Sequence, residues 1–211
     1  RLLQEAGVPA GVVQYLPGLG EEVGRALVHH PDVPLIMFTG SKAVGLSILD
    51  AASHVRQGQR FIKHVVTEMG GKNALIIDDD ADLDAAIKGI LVSAFSYQGQ
   101  KCSAASRLIV HEGIYPRLIE RLIGAVDGLV IGDPADPRCD LGPLIDADAL
   151  QRVTAAIATG KGPATLLYQY PSARLPREGY FGGPGLFADA DPASGLAREE
   201  LFGPVLCVFR V

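Results

Sequence analysis

The sequence predicts an α/β fold in which open, parallel-rich sheets are flanked by helices. Short apolar runs alternate with helical segments along most of the 211 residues. Such alternation is typical of parallel strands joined by helices. Hydrophobic residues make up 48% of the chain and charged residues 20%, which is ordinary for a globular protein with a packed core.

Eight short apolar runs are predicted to be strands. They lie at residues 12–15, 35–38, 61–67, 73–78, 107–110, 129–131, 164–168 and 205–211. Residues 169–185 are rich in Pro, Gly and Tyr, so we expect irregular surface there.

Five segments between these runs are predicted to be helices, at residues 21–30, 42–55, 82–96, 115–126 and 147–158. Pro31 ends the first helix because proline cannot continue a helical hydrogen-bond ladder. Ser41 is expected to be the N-cap of the second. The third is amphipathic and begins with acidic residues, where the helix dipole favours negative charge.

Charge and hydropathy exclude several classes of partner. The net charge of −5 and the pI of about 5.5 give no electrostatic basis for binding nucleic acid or an anionic membrane surface. No apolar run approaches the roughly 20 residues needed to span a bilayer. The sequence starts at Arg1 and not at a methionine, and it has no signal-peptide pattern. Its first residues are typical of the middle of a domain. We therefore expect part of a longer, cytoplasmic protein.

The three cysteines, Cys102, Cys139 and Cys207, are an odd number without metal-ligand spacing, so neither a disulfide framework nor a metal site is expected. Cys207 lies within the apolar run VLCVF and is predicted to be a core residue. Cys139 lies in a DPRCD loop and could be a surface residue without a functional role.

Cys102 stands in a different setting, between a helix-like run and a strand-like run. A free cysteine is often a small buried apolar residue. Here Lys101 supplies positive charge that can favour the thiolate, and Gly99 and Ser103 leave the sulfur uncrowded. A thiolate attacks carbonyl carbons, and the resulting thioester can be hydrolysed. This pattern favours a nucleophile.

Glu68 precedes two glycines in the segment TEMGGKN. It could be a solvated carboxylate at the end of a strand. It could also be a general base, since α/β proteins bind ligands at the carboxyl ends of strands. The glycines indicate a domain boundary near residues 67–73, dividing the chain into residues 1–67 and residues 68–211.

The segment FTGSKAVG differs from the GxGxxG dinucleotide fingerprint. It predicts a strand, a turn at Gly40, a cap at Ser41 and a helix whose free N–H groups could bind phosphate. Gly45 inside that helix costs about 1 kcal/mol relative to alanine, which indicates a close approach. The segment REELFGPV by itself indicates only a polar loop entering an edge strand.

Four motifs, FTGS, EMGGKN, GQKCSA and EELFGPV, occur in this order along the chain. PAGVVQYLPG, DADLDAA, GDP, LGPLID and GYFGGPGLFAD lie between or around them. Together they closely resemble the aldehyde dehydrogenase superfamily over nearly the whole chain. Gly185 stands where threonine is common in that family.

The resemblance implies an α/β enzyme that oxidises an aldehyde with NAD, or with NADP, and has no metal. Residues 1–67 would then be the last part of the NAD(P)-binding domain, and residues 68–211 an incomplete catalytic domain. The complete enzyme would be a homo-oligomer. The superfamily's oxyanion-binding asparagine would lie upstream of residue 1, so we expect little or no dehydrogenase activity from this chain alone.

The resemblance also assigns site residues. It makes Cys102 the nucleophile and Glu68 the general base. The residues that it places at the cofactor are Gly40, Ser41, Gly45, Met69, Gly70, Glu200 and Phe202, with Gly71 completing the glycine pair.

Within the superfamily, GQKCSAASR and EMGGKNALIID are most similar to 1-pyrroline-5-carboxylate dehydrogenases, which oxidise glutamate semialdehyde in proline breakdown. Lys101 and Ser103 would then lie near the substrate carboxylate. The alternatives are oxidation of another aldehyde such as succinate semialdehyde, a catalytically silent domain, and a hydrolase that uses Cys102 without a cofactor.

Overall fold

The computed structural model describes residues 1–160 and 164–211, and it confirms the α/β class. These residues form two compact units, Arg1–Met69 and Gly70–Val211, which are named unit 1 and unit 2.

Unit 1 contains one parallel pair of strands, β1 (Leu35–Thr39) and β2 (His64–Glu68), which pair from Leu35↔His64 to Thr39↔Glu68. The helices of unit 1 are α1 (Leu2–Glu5), α2 (Arg25–His29), which follows a π-helical turn at Gly20–Gly24, and α3 (Lys42–Ser53). Ser41 caps α3 as predicted, because its Oγ accepts a hydrogen bond from Val44 N at 3.4 Å.

Two strand predictions in unit 1 need correction. Residues 12–15 form turns and irregular structure rather than a strand, and the side chains of Val12 and Val13 are exposed. A short apolar run becomes a strand only where a neighbouring strand pairs with it. The strand predicted at 61–67 begins only at His64, where pairing with β1 starts.

Unit 2 contains a five-stranded sheet. Its strands are β3 (Asn73–Ile77), β4 (Ala105–Val110), β5 (Thr165–Gln169), β6 (Gly185–Ala188) and β7 (Val205–Arg210). They follow the order β3-β4-β7-β6-β5, and every neighbouring pair is parallel except the antiparallel pair β5-β6.

The last strand of the chain lies in the middle of this sheet, so the prediction that REELFGPV enters an edge strand is wrong. Val205, Leu206, Cys207 and Val208 are all buried, as expected for a strand covered on both faces. The strand β6 was not predicted, because its four residues lie at the end of a segment rich in glycine and proline.

Four helices complete unit 2: α4 (Leu83–Phe95), α5 (Tyr115–Asp127), α6 (Ala147–Gly160) and α7 (Gly195–Arg198). Asp82 caps α4, since its carboxylate accepts hydrogen bonds from Asp84 N and Ala85 N. The strand predicted at 129–131 is reduced to one isolated bridge, Ile131↔Leu141.

Two apolar clusters form the core of unit 2. The larger includes Ile90, Leu108, Leu118 and Leu122, which are fully buried. The second surrounds Phe187 and includes Cys207, so the prediction that Cys207 is a core residue is confirmed. Within the described ranges 1–160 and 164–211, no helix is both long and apolar enough to cross a bilayer.

Candidate active site

The chain leaves α4 through a left-handed segment, Tyr97, Gln98 and Gly99, with φ values of 54°, 59° and 69°. Left-handed backbone costs L-residues roughly 1–2 kcal/mol each, and it occurs mainly at single residues. Three in succession turn the chain sharply away from the helix. Cys102 follows this segment and is exposed.

Gly99 is required in this segment for two reasons. Its φ of 69° suits glycine, and a Cβ atom there would lie 2.5 Å from the carbonyl oxygen of Gly203. The loop before β7 therefore packs directly on the backbone before Cys102. Any other residue at position 99 would have to displace backbone rather than a flexible side chain.

The cysteine turn, residues 101–104, is closed by a hydrogen bond from Ala104 N to Lys101 O at 3.0 Å. Two side chains form hydrogen bonds that connect this turn, and the residue just before it, to other parts of unit 2. Asn73 Nδ2 donates to Cys102 O at 2.7 Å and to Ala104 O at 3.1 Å. Gln100 Oε1 accepts from Ile145 N at 3.0 Å.

Sequence analysis missed Asn73 and Gln100 as determinants of this turn. Both belong to motifs that were identified, EMGGKN and GQKCSA. Nothing in the residue pattern shows, however, that an amide at position 73 reaches a carbonyl at position 102. The contact follows from the pairing of β3 with β4.

The three cysteines occupy three different environments. Cys102 is exposed, Cys139 is half-buried and donates from Sγ to Leu141 O at 3.0 Å, and Cys207 is fully buried. Burial raises the pKa of the Cys207 thiol, with nearby Lys72 opposing that effect. Only Cys102 combines exposure with a tightly held backbone turn.

Lys101 is half-buried, and its ammonium lies over the Tyr97 ring, 5.5 Å from the centroid. Such a cation–π contact holds the long side chain against the left-handed segment. Ser103 is exposed.

Glu200 and Phe202 lie with Lys101 around a small cavity in unit 2, together with Gly71 and Gly203. The Glu200 carboxylate lies so close to the Gly70 backbone that a Cβ atom at position 70 would collide with it. Phe202 has a φ of 51°, an uncommon conformation for a bulky residue. Strain of this kind persists where the surrounding structure enforces it, often at functional sites.

Lys72 lies in unit 2, just after the glycine pair. Its Nζ is buried and has no hydrogen-bond partner among the described residues, and its backbone oxygen accepts from Arg107 Nη2 at 2.5 Å. Burial lowers the pKa of the Lys72 amine, Arg107 lowers it further, and Cys207 and Glu200 oppose the change. The sequence motif gave no indication of this buried amine.

The remaining predicted site residues lie in unit 1, at the carboxyl ends of β1 and β2 and, for Gly45, in the first turn of α3. Gly40 N donates to Glu68 O at 3.0 Å, so the turn that opens α3 is bound to the end of β2. A Cβ atom on Gly45 would lie 2.7 Å from the Met69 sulfur. The close approach expected at Gly45 is therefore made by Met69, independently of any ligand.

The turn at Gly40 and Ser41 has the features of an anion-binding helix start. The 12-residue helix α3 begins directly after a parallel strand, and its first-turn N–H groups are suited to bind an anion. In unit 2, the Glu200 carboxylate occupies the space beside Gly70 that a Cβ atom would fill, and a Cβ atom on Gly71 would make ordinary contacts with Asn73 Oδ1 and Cys102 O.

Across residues 1–160 and 164–211, no group of three or more His, Cys, Asp or Glu residues could hold a metal ion. A larger cavity of about 340 Å³ lies in unit 2 between α4 and the loop that carries Leu129 and Asp140. It contains none of the predicted site residues.

Comparison with known proteins identifies the family. A model of the aldehyde dehydrogenase family matches residues 1–211. The chain therefore belongs to the aldehyde dehydrogenase family. Among curated proteins, the 1-pyrroline-5-carboxylate dehydrogenase 1 of Halalkalibacterium halodurans is 43% identical over 205 residues, covering 97% of this chain and 39% of that protein. The 1-pyrroline-5-carboxylate dehydrogenase of Bacillus subtilis is 42% identical over 207 residues, covering 98% and 40%.

Solved structures of this family agree with the fold. A 1-pyrroline-5-carboxylate dehydrogenase from Thermus with bound NAD gives a TM-score of 0.93 at 47% identity, covering 100% of this chain and 40% of that one. Proline utilization A from Bdellovibrio bacteriovorus gives a TM-score of 0.95 at 45% identity, covering 100% of this chain and 22% of that one. The chain thus spans about 40% of the length of the curated relatives that it matches.

Proposed function

We propose that this chain contributes the nucleophile, the general base and part of the NAD site to an enzyme that oxidises L-glutamate γ-semialdehyde to glutamate in proline catabolism. Residues 1–67 would belong to its NAD(P)-binding domain and residues 68–211 to its catalytic domain. The observation that carries the proposal is the exposed thiol of Cys102, held on a hydrogen-bonded turn in a member of the aldehyde dehydrogenase family.

The chemistry begins with attack of the Cys102 thiolate on the aldehyde carbon, which forms a carbon–sulfur bond and an oxyanion. Bound NAD supplies an acceptor for the hydride that this carbon then loses, and a thioester remains on Cys102. The anchored turn holds the Cys102 backbone that carries the sulfur, so that less orientational freedom must be removed before reaction.

Glu68 is proposed to accept a proton from the water that attacks the thioester. Addition of that water breaks the carbon–sulfur bond, releases the carboxylic acid and returns the thiolate. A carboxylate base favours hydrolysis over transfer of the acyl group to a carrier thiol.

Two groups of residues are proposed to contact NAD. Gly40 and Ser41 at the start of α3 suit the pyrophosphate, with Gly45 nearby. Met69, Gly70, Glu200 and Phe202 are proposed to contact the nicotinamide ribose and ring. NADP remains the alternative cofactor.

The substrate assignment rests on the similarity of this chain to 1-pyrroline-5-carboxylate dehydrogenases and on the motif GQKCSA. Lys101 and Ser103, which flank the nucleophile, are proposed to recognise the substrate carboxylate. A cytoplasmic, homo-oligomeric enzyme remains the prediction for the complete protein.

Cysteine substitution in the complete protein tests the proposal. Cys102→Ser should lower kcat for glutamate γ-semialdehyde by roughly 10³-fold or more, because a serine hydroxyl at neutral pH is a far weaker nucleophile. Cys139→Ser is the matched control and should remain within about two-fold of wild type, since a serine hydroxyl can keep the hydrogen bond to Leu141 O. NAD reduction at 340 nm is the measurement.

Two further arms separate the alternatives. In a panel of aldehydes, succinate semialdehyde should have a lower kcat/KM than glutamate γ-semialdehyde. Activity without added NAD or NADP would indicate a hydrolase. Retention of dehydrogenase activity by Cys102→Ser would refute the proposed nucleophile.

A further inference from the structure

The pairing of β3 with β4 is irregular beside Cys102. Asn73 is in register with Ala105, whereas Ala74 is in register with Arg107, so β4 carries one additional residue, Ser106. Bulges are uncommon in parallel pairs and often change the direction of a side chain next to an active site. This one coincides with the first residue of β3.

The Asn73 side chain spans from β3 to the cysteine turn. Its single Nδ2 donates to Cys102 O and to Ala104 O, at 2.7 and 3.1 Å. The two hydrogens of a primary amide match two carbonyl oxygens, and neither a hydroxyl nor a carboxylate at this position could supply both bonds. With the bond from Ala104 N to Lys101 O, three hydrogen bonds define the turn.

One of these bonds acts on the backbone of Cys102 itself. The cysteine carbonyl has a fixed partner while its thiol is exposed to solvent. The turn follows three left-handed residues, of which Tyr97 and Gln98 are strained, so its conformation depends on such external contacts. Loss of the amide would let the Cys102 backbone rotate.

We propose that Asn73 is a positioning residue that fixes the Cys102 backbone in the orientation required for attack on the aldehyde. The inference rests on the proposed function of Cys102 and adds to it a determinant outside the reacting groups. Asn73 acts through the cysteine turn and does not touch the reacting atoms.

The test uses Asn73→Asp in the complete protein. This substitution preserves shape but removes both donors and places a carboxylate against two carbonyl oxygens. We expect kcat to fall by about 30- to 100-fold, since small misplacements of reacting groups have effects of this size, while the KM for NAD changes little. The rate of Cys102 modification by 2,2′-dithiodipyridine, read by mass spectrometry, should fall by about 10-fold.

The pH profile separates positioning from a general structural effect. A protonated carboxyl donates one hydrogen bond, so the deficit of Asn73→Asp in Cys102 modification should shrink as the pH falls from 7 to 4. Gln100→Glu is the matched control. It adds the same charge near the same turn but keeps an acceptor for Ile145 N, so it controls for the charge itself. Its deficit at pH 7 should be smaller than that of Asn73→Asp, and acidification should restore a larger share of the rate to Asn73→Asp, which regains a donor.

Each outcome decides between the possibilities. Wild-type modification rates and kcat in Asn73→Asp would overturn the inference. So would equal slowing of Cys102 and Cys139 modification, or equal deficits in Asn73→Asp and Gln100→Glu at every pH. If Cys102→Ser retains dehydrogenase activity, the proposed function fails instead, whatever Asn73→Asp does to thiol modification.

Discussion

Unit 1 and unit 2 use the same alternation of strands and helices but are stabilised differently. Unit 2 has two apolar clusters with many fully buried side chains. The buried residues of unit 1 are Gly45, Ile48, Ala52 and Lys63. Parallel strands are usually covered on both faces, yet Leu35 and Met37 on β1 are 54% and 76% exposed.

Hydrogen bonds to backbone atoms connect the strands and helices of unit 1, where few apolar side chains are buried. Lys63 Nζ donates to His30 O and Val33 O at 2.6 and 2.7 Å, which ties the segment before β1 to the start of β2. Ser41 caps α3, and Gly40 N bonds to Glu68 O. The comparison shows that the same sequence pattern can specify an element without specifying how deeply its apolar face is buried.

Truncation of the core of unit 2 should have the largest effect on stability. Phe187→Ala should lower the free energy of unfolding by about 3–5 kcal/mol, because it removes a fully buried ring and leaves a cavity. Met37→Ala, the counterpart on the exposed face of unit 1, should change it by less than about 0.5 kcal/mol. Urea denaturation followed by circular dichroism, with hydrogen exchange of β7, is the measurement. Similar losses in both variants would refute the contrast between the units.

A second, smaller difference in stability is expected between two glycines of unit 2, one in the left-handed segment and one inside α4. Gly99→Ala should cost about 2–3 kcal/mol, since it adds left-handed strain and a collision with the Gly203 carbonyl. Gly89→Ala is the control: Gly89 lies inside α4 with open space around its Cα, so alanine should stabilise by about 0.5–1 kcal/mol. The same denaturation experiment applies. A neutral Gly99→Ala would show that the segment can relax.

The smallest effect is expected at the surface of unit 2, where Tyr168 Oη and Arg174 Nη1 both donate to Asp127 Oδ1 at 2.7 Å. These bonds hold the pKa of the Asp127 carboxyl below its usual value, first through Tyr168 and then through Arg174. Because the folded pKa is depressed, the stabilisation is complete above the unfolded value of about 3.9 and is lost as pH falls through the folded value.

Thermal denaturation of Asp127→Asn from pH 6 to pH 3 checks this. The variant should melt about 1–3 °C below wild type at pH 6, and the difference should shrink as the pH falls below the unfolded pKa of the carboxyl. Burial and the bond to Asp127 raise the pKa of Tyr168 from 10.0 to about 12, so the stabilisation by this bond should be complete below pH 10 and should be lost as the pH rises through about 12. A constant difference between pH 6 and pH 3 would contradict the assignment.

Local patterns were sufficient to predict most elements. Caps and periodicity placed α3, α4, α5 and α6 within a few residues, because these signals depend on neighbours in sequence. The motifs around Cys102 and Glu68 likewise identified the family, and the roles assigned to individual site residues stay predictions.

The rest depended on contacts between distant segments. Sequence periodicity does not encode which strands pair with each other. Strand pairing decides the central place of β7, the position of β6, the irregular structure at 12–15 and the exposure of β1. The amide of Asn73 reaches Cys102 O where β3 pairs with β4 and the register shifts by one residue. The residue types of the candidate site were thus readable from the chain, whereas long-range strand pairing decided how the cysteine is held.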